Sequence, residues 1–274
     1  MTCARVSHPS HARVRARNTR MRRARARKND EDERDVRVGG ERRRRVVALV
    51  PLSFAFHANA STTNAKENGD ARGNARYDAY ASHYDDLDGG VVARMIGMDA
   101  ARDDALRACA GDVLELAVGT GLNLSHYDRK KIRRYSAIDV SPGMLARARA
   151  RARELEFEGT FAVADATALP FEDASFDVVV DTFSLCVMTE PVKVLREVKR
   201  VLRANGRAVL IEHSRSDNGA LGAYQDATSK PVEALSKGCV WNQDVEGLIR
   251  ESGLKVVSVE RALLGLLVIV EATP

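Results

Sequence analysis

From about residue 77 onward the sequence predicts an α/β fold, a doubly wound and mostly parallel sheet of seven strands. Three observations predict it. Seven short apolar runs alternate with helix-like stretches, the pattern of a sheet covered on both faces. Two glycines one residue apart, Gly119 and Gly121, close the first of these runs, where a strand turns into the next element at the ligand-binding end of an open sheet. Only Arg261–Leu264 separates the last two runs. That is too short for a crossover helix, so those two form a hairpin and one strand near the sheet edge is antiparallel.

Taken in order, strands are expected at Asp112–Ala117, Arg134–Asp139, Glu158–Ala164, Phe176–Thr182, Arg207–Glu212, Leu254–Glu260 and Gly265–Glu271. Helices are expected between them at Leu122–Asp128, Pro142–Leu155, Pro191–Leu202 and Gln243–Glu251. The helix at Pro142 is the best marked. Ser141 can cap it and Pro142 fills its first position, where a missing N–H costs nothing. Gly253 is placed to end the last helix.

Charge divides the chain. Residues 1–28 hold ten basic and no acidic residues, residues 1–45 carry a net +10, and the remainder carries −5. The mildly acidic remainder argues against nucleic acid as a partner. The Arg-rich, acid-free start fits an organelle transit peptide, with a disordered basic arm as the plainer alternative. Arg42–Arg45 then precede the apolar run VVALVPLSFAF, which ends at Ala58-Asn59-Ala60. A positive flank, a short apolar core and A-x-A are the layout of an export signal. The expectation is a targeting segment at 1–60, a polar linker at 61–76 and one folded domain at 77–274. Twin Arg before such an apolar run resembles a bipartite signal for the thylakoid, the plainer reading being a membrane-proximal anchor or more transit peptide; the expected placement is the chloroplast, with the mitochondrion as alternative. Cys3, Cys109, Cys186 and Cys239 are scattered with no metal-like spacing, so they read as reduced packing thiols and no metal is expected.

The glycine pair lacks the third glycine of a dinucleotide fingerprint, and no GK[ST] follows, so neither a nicotinamide oxidoreductase nor a P-loop is indicated. Asp139 lies 20 residues after Gly119. An acid there either accepts from a ribose diol or caps the following helix. Asp165-Ala166 follows the third strand, where a carboxylate suits an adenine amino group.

The segments ELAVGTGLN (115–123), AIDVSPGML (137–145), ADATALPFEDASFDVVV (164–180) and LREVKRVLRANGRAVLIEH (195–213) together resemble the class I S-adenosylmethionine-dependent methyltransferases, of the broad type 11 kind. The flanks TFSLCVMTEP, EHSRSDNG and KGCVWNQDV are similar to an organelle-targeted subgroup of methyltransferase-like proteins. The resemblance implies S-adenosyl-L-methionine as cofactor. It implies that Glu115, Gly119 and Gly121 line the methionine side, that Ala117, Thr120 and Thr182 also belong to the cofactor site, and that Asp139 holds the ribose. Val140 and Met144 would flank the adenine, Asp165 and Ala166 would meet its edge, and Tyr84 would close a lid. Ala117 stands where many members have glycine. The implied function is methyl transfer to a small-molecule or lipid-like acceptor, with possible membrane proximity. The alternative is a catalytically silent factor acting through a protein partner. No catalytic base is obvious. His213, after the fifth strand, is the leading candidate, as base or as loop-orienting partner, ahead of Glu212 and Tyr224.

Overall fold

The computed structural model describes residues 77–82, 84–87 and 98–274. The expected targeting segment 1–60 and linker 61–76 lie outside the described residues. Short helical turns at 77–80 and Tyr84–Leu87 precede α1 (Met98–Leu106). The strands are β1 (Gly111–Leu116), β2 (Ile132–Asp139), β3 (Thr160–Val163), β4 (Phe176–Thr182), β5 (Leu202–His213), β6 (Lys255–Ala262) and β7 (Leu267–Thr273). The other helices are α2 (Pro142–Glu154), α3 (Pro191–Val201), α4 (Gly219–Leu235) and α5 (Val245–Ser252). No described helix is long and apolar enough to cross a membrane.

The strands form one sheet in the order β3-β2-β1-β4-β5-β7-β6. All neighbours are parallel except at β7, which is antiparallel to both β5 and β6. Strand order reverses between β1 and β4, so the first crevice at the carboxyl ends lies there, the place where open α/β sheets bind ligands.

Each face buries its own core. Val194, Leu195, Val198 and Val201 make one apolar stripe of α3 and pack with Val245 and Ile249 of α5, the spacing expected of a helix lying on a sheet. Leu145, Ala148 and Ala152 of α2, with Leu106 of α1, cover the other face. Ser141 caps α2 by accepting from the Met144 N–H, and Gly253 ends α5 in the left-handed region, both as the sequence predicts.

β5 starts at Leu202, five residues ahead of the expected Arg207, and two further elements differ from expectation. Leu122–Ser125 is a single 3-10 turn, not the start of a helix to Asp128. Asn123 and Tyr127 are drawn inward to the Glu115 carboxylate, so the chain dives toward the core instead of continuing a helix. The 17-residue α4 was not expected. Its buried side chain is Gln225, which donates to the Ser214 and Trp241 carbonyls and accepts from the Ser216 N–H. Hydrogen bonds, not an apolar stripe, seat this helix.

At the amino end of the sheet, buried Asp112 accepts from Arg133 Nε at 2.8 Å and from Arg203 Nη2 at 3.0 Å. The Arg133 guanidinium, with Arg203 and Arg134, holds its carboxyl well below the usual carboxylate range. A depressed carboxyl stabilises the fold above the unfolded value near 3.9 and loses that contribution as pH falls below it. Thermal stability should therefore fall steeply below about pH 4, and Asp112→Asn should flatten this acid limb. An unchanged limb would contradict the assignment.

Candidate functional site

The crevice between β1 and β4 opens into a small cavity lined by Tyr84, Arg102, Ala117, Val118, Gly119, Thr120, Leu122, Asn123, Thr182 and Phe183. The loop after β1 turns through three left-handed residues, Ala117 (φ 44°), Gly119 (φ 56°) and Gly121 (φ 82°). A Cβ at Gly119 would meet only the Ala117 carbonyl, at 3.9 Å. The space beside that backbone is open, as close approach of a ligand requires. Gly121 serves a different end. A Cβ there would stand 3.2 Å from the Ala148 Cα in α2, so this glycine lets the loop pack on the helix and does not line the cavity. Gly121→Ala should cost about 2–4 kcal/mol from backbone strain and overpacking; thermal unfolding indistinguishable from the wild type would contradict this. Ala117 holds a conformation glycine adopts without strain, which gives the family's glycine preference at this position a physical reason.

Asp139 ends β2 beside the loop. One of its carboxylate oxygens accepts from the Gly119 N–H at 2.8 Å, the other from the Ser141 N–H at 2.9 Å. Burial raises its pKa, and the backbone donors offset part of that rise. Each oxygen keeps a further lone pair, enough for a ribose diol. Ser141, not Asp139, supplies the side-chain cap of α2. Val140 is half-buried, while Met144 is buried in α2. Asp165 is exposed one strand over and accepts from the Thr167 N–H, next to buried Ala166.

Glu115 departs from the expected contact role. It is 1% exposed, and its oxygens accept from Tyr127 OH at 2.7 Å, Tyr135 OH at 2.6 Å and Asn123 Nδ2 at 3.0 Å. Burial raises its pKa against these three donors. Glu115 is therefore tied to the cavity through Asn123, a wall residue. The Asn123 amide nitrogen also donates to Thr182 Oγ1, which fixes the amide's orientation. Its Oδ1 is buried and has no hydrogen-bond partner among the described residues. An orphaned acceptor of this kind suits an ammonium group on a ligand.

Arg102 was missed by the sequence reading. It is 4% exposed, lines the cavity and lies 5.5 Å over the Phe183 ring, and its Nε is buried without a partner. The spare donor suits a carboxylate. Helix α1 carries several charged residues, and nothing in its spacing marks this one.

Tyr84 sits over the cavity because the segment carrying it is clamped. Asp85 accepts from Thr120 Oγ1 and pairs with Arg151 at 2.5 Å. Asp78 accepts from the Gly143 N–H at the start of α2, and its pKa is lowered by the Ser141 hydroxyl and that N–H.

Beyond Phe183 the carboxyls of Asp181 and Glu212 lie against each other, fully buried. Burial raises both, Asp181 to about 7. Glu212 accepts from the Ser184 N–H at 3.1 Å and Asp181 from Ser184 Oγ, so the pair supports the turn after β4. Raised folded-state carboxyls favour the fold below their pKa and cost stability as pH rises through it. The melting temperature should therefore decline as pH rises from about 4, the ordinary carboxyl value, through about 7, the value for Asp181, and Glu212→Gln should reduce that decline; an equal decline in the variant would contradict shared protonation of this pair.

His213 does not face the cavity as an available base. Its Nδ1 lies 3.8 Å from Cys186 Sγ and 3.7 Å from Cys239 Sγ, with Phe183 packed on its ring, centroids 5.2 Å apart. Tyr224 is exposed on α4, stacked edge-on to Trp241. The described geometry therefore gathers Tyr84, Ala117, Gly119, Thr120 and Thr182 around one cavity. It sets Asp139 at its rim, Asp165 and Ala166 on the neighbouring strand, and Glu115 and Gly121 behind the loop.

A family model for a methyltransferase domain matches residues 114–210. Among curated proteins, phosphatidylethanolamine N-methyltransferase of Cereibacter sphaeroides is 36% identical over 156 residues, 56% of this chain and 74% of that protein. The mitochondrial methyltransferase OMS1 of Saccharomyces cerevisiae is 27% identical over 69% of this chain and 43% of its own length. Demethylmenaquinone methyltransferase of Thermus thermophilus is 39% identical over 44% of this chain and 55% of its own length. The chain thus spans about half the length of the latter two. Among solved structures, the [4+2]-cyclase SpnF superposes with a TM-score of 0.59 at 18% identity, covering 73% of this chain and 94% of that one. Geranyl diphosphate C-methyltransferase of Streptomyces coelicolor A3(2), in complex with Mg2+, geranyl diphosphate and S-adenosyl-L-homocysteine, gives 0.53 at 14% identity, covering 64% and 77%. At those identities the structures speak to the fold alone.

Proposed function

We propose that this chain, which belongs to the class I S-adenosylmethionine-dependent methyltransferases, transfers a methyl group to a small-molecule or lipid-like acceptor inside an organelle. The observation that carries the proposal is the donor and acceptor set of the cavity: Asp139 with spare lone pairs, the orphaned Asn123 Oδ1 and the spare Arg102 donor around the open face of Gly119. That set matches a nucleoside bearing an amino acid.

The bound cofactor supplies a methyl group already activated on a cationic sulfur. The protein's work is then to hold and orient it and to keep water out. Asp139 accepts from the ribose hydroxyls. Asn123 Oδ1 accepts from the ammonium group, positioned by Glu115 and Thr182. Arg102 donates to the carboxylate. Asp165 would take the adenine edge, and Tyr84 and Phe183 would help wall the cavity that holds the cofactor. Because charge-assisted hydrogen bonds contribute about 1.5–3 kcal/mol, Arg102→Ala should weaken cofactor binding roughly 10- to 100-fold, and Arg102→Lys should recover part of it. Equal affinities in calorimetric titration would remove this role.

Two features support a lipid-like acceptor. Relatives are named for phosphatidylethanolamine and demethylmenaquinone. Exposed apolar side chains, Tyr224 and Leu235 on α4 and Leu263 and Leu264 in the β6–β7 turn, sit at the carboxyl-end rim, where Ser216 Oγ binds the Leu264 carbonyl at the entrance to α4. Such side chains suit a membrane surface or an acyl chain. Labelled-methyl transfer from the cofactor to phosphatidylethanolamine vesicles, reduced demethylmenaquinone and simple thiols tests the acceptor class; label confined to water-soluble protein would contradict it.

The organelle reading rests on the basic start of the chain and on a relative named as mitochondrial. That relative favours the mitochondrion over the chloroplast. Fusing residues 1–60 to a fluorescent reporter distinguishes the two, and a cytosolic reporter would overturn both.

A further inference from the structure

Three side chains that lie far apart in sequence converge beside the cavity. Cys186 sits in the 3-10 turn after β4 (Leu185–Val187), His213 ends β5, and Cys239 follows α4. Their two sulfurs and one ring nitrogen all lie within 4.8 Å of one another. A tetrahedral centre with bonds of about 2.3 Å to sulfur and about 2.0 Å to nitrogen has sulfur–nitrogen edges of about 3.5 Å. The observed edges are 3.8 and 3.7 Å, nearly equal and within a few tenths of an ångström of that figure.

Contacts outside the three side chains also hold this arrangement. The Val240 N–H donates to the Cys186 carbonyl at 2.7 Å. Gln243 Nε2 donates to the Leu185 carbonyl at 3.1 Å. Lys237 and Gly238, both in the left-handed region (φ 60° and 95°), turn the chain to present Cys239. Simple packing of apolar thiols would not require a histidine nitrogen directed between two sulfurs.

We infer that Cys186, His213 and Cys239 bind a zinc ion through Sγ, Nδ1 and Sγ, leaving its fourth position open. Two sulfurs and an imidazole suit a soft, borderline d10 cation rather than a hard one such as Mg2+ or Ca2+. Binding releases the two thiol protons, so the two thiolates balance the ion's charge. Three protein ligands with one open position is the arrangement of catalytic zinc sites rather than closed structural ones. The open position takes water or an anionic oxygen or sulfur donor. The site also joins three elements of the carboxyl rim, and Lys237, two residues before Cys239, lies over the Tyr80 ring of the segment that covers the cavity. The inference stands on these three side chains and does not depend on the cofactor reading.

The test uses the full chain, purified reduced and freed of metal by a chelator, then titrated with Co2+ and Zn2+. One equivalent of Co2+ should produce thiolate-to-cobalt charge-transfer absorption and intense tetrahedral d–d bands, and Zn2+ should displace it. Cys186→Ser and Cys239→Ser should each weaken the charge-transfer band and lower zinc affinity by more than about tenfold, the size of effect that losing even an outer-shell partner can have. The double variant should lose the band, while Cys109→Ser should retain it. Because a variant can fail to fold, alkylation mapping of the wild type provides a second readout: zinc should slow modification of Cys239 relative to the metal-free protein. A full cobalt spectrum in a folded double variant would overturn the inference. So would the absence of a sulfur–cobalt band in the folded wild type, or alkylation indifferent to zinc.

Discussion

Asp139→Ala should lower affinity for S-adenosylmethionine and S-adenosylhomocysteine by about 1–3 kcal/mol, roughly 5- to 150-fold, and should also lower stability, since it leaves the Gly119 and Ser141 N–H groups without their acceptor. Both Asp139 oxygens face the loop and the β2 terminus, each already oriented by a backbone N–H. Removing it takes away the ribose acceptor and also releases the Gly119 N–H, so the loop loses its register. Asp139→Asn should lie between, since one amide oxygen can still accept. The pH dependence follows from burial. Because the carboxyl is raised above its ordinary value, it protonates earlier on acidification. Cofactor affinity should then fall as pH drops, beginning above the usual carboxylate range near 4. Asp139→Ala should lack this component. Equal affinity in the variant and wild type would separate Asp139 from the cofactor.

Glu115→Ala should produce the largest loss of stability of any single site change considered. Its carboxylate takes three donors in the interior. Truncation strands two tyrosine hydroxyls and an amide, each costing about 1–3 kcal/mol when unsatisfied. A total of about 3–5 kcal/mol is expected, in line with breaking a buried polar network. For a domain of this size that lowers the melting temperature by roughly 10 °C. Glu115→Gln keeps the volume and some acceptors, and should cost less. The same variant should weaken cofactor binding through Asn123, which loses the partner that orients it. A destabilisation below about 1 kcal/mol would mean the network is not satisfied as described.

The legible parts of the molecule were those written in local pattern. The central strands β1, β4 and β5 could be read because buried parallel strands are near-continuous apolar runs, and the β6–β7 hairpin could be read from its short connection. Ser141-Pro142 marked the start of α2 through capping chemistry that acts within three residues. Asp139 and Gly119 were legible from their spacing, which reflects one βαβ unit. What was not legible depends on long-range contacts. Glu115 read as a cofactor neighbour because the sequence does not show that Tyr127 and Tyr135 reach it. Gly121 read as a lining residue, although its constraint comes from Ala148 in α2. Helix α4 was invisible because a glutamine, not an apolar stripe, anchors it. His213 read as a base, and Cys186 and Cys239 as packing, because 27 and 26 residues separate what the fold brings together. Arg102 lies in a helix rich in charge, and only its burial distinguishes it.

The central claim is that the crevice between β1 and β4 holds the cofactor. Calorimetric titration of S-adenosylhomocysteine into the full-length chain tests it most directly. The account predicts saturable binding to one site, weakened by both Asp139→Ala and Arg102→Ala. A folded chain that does not bind, or that binds with wild-type affinity after both substitutions, would contradict it.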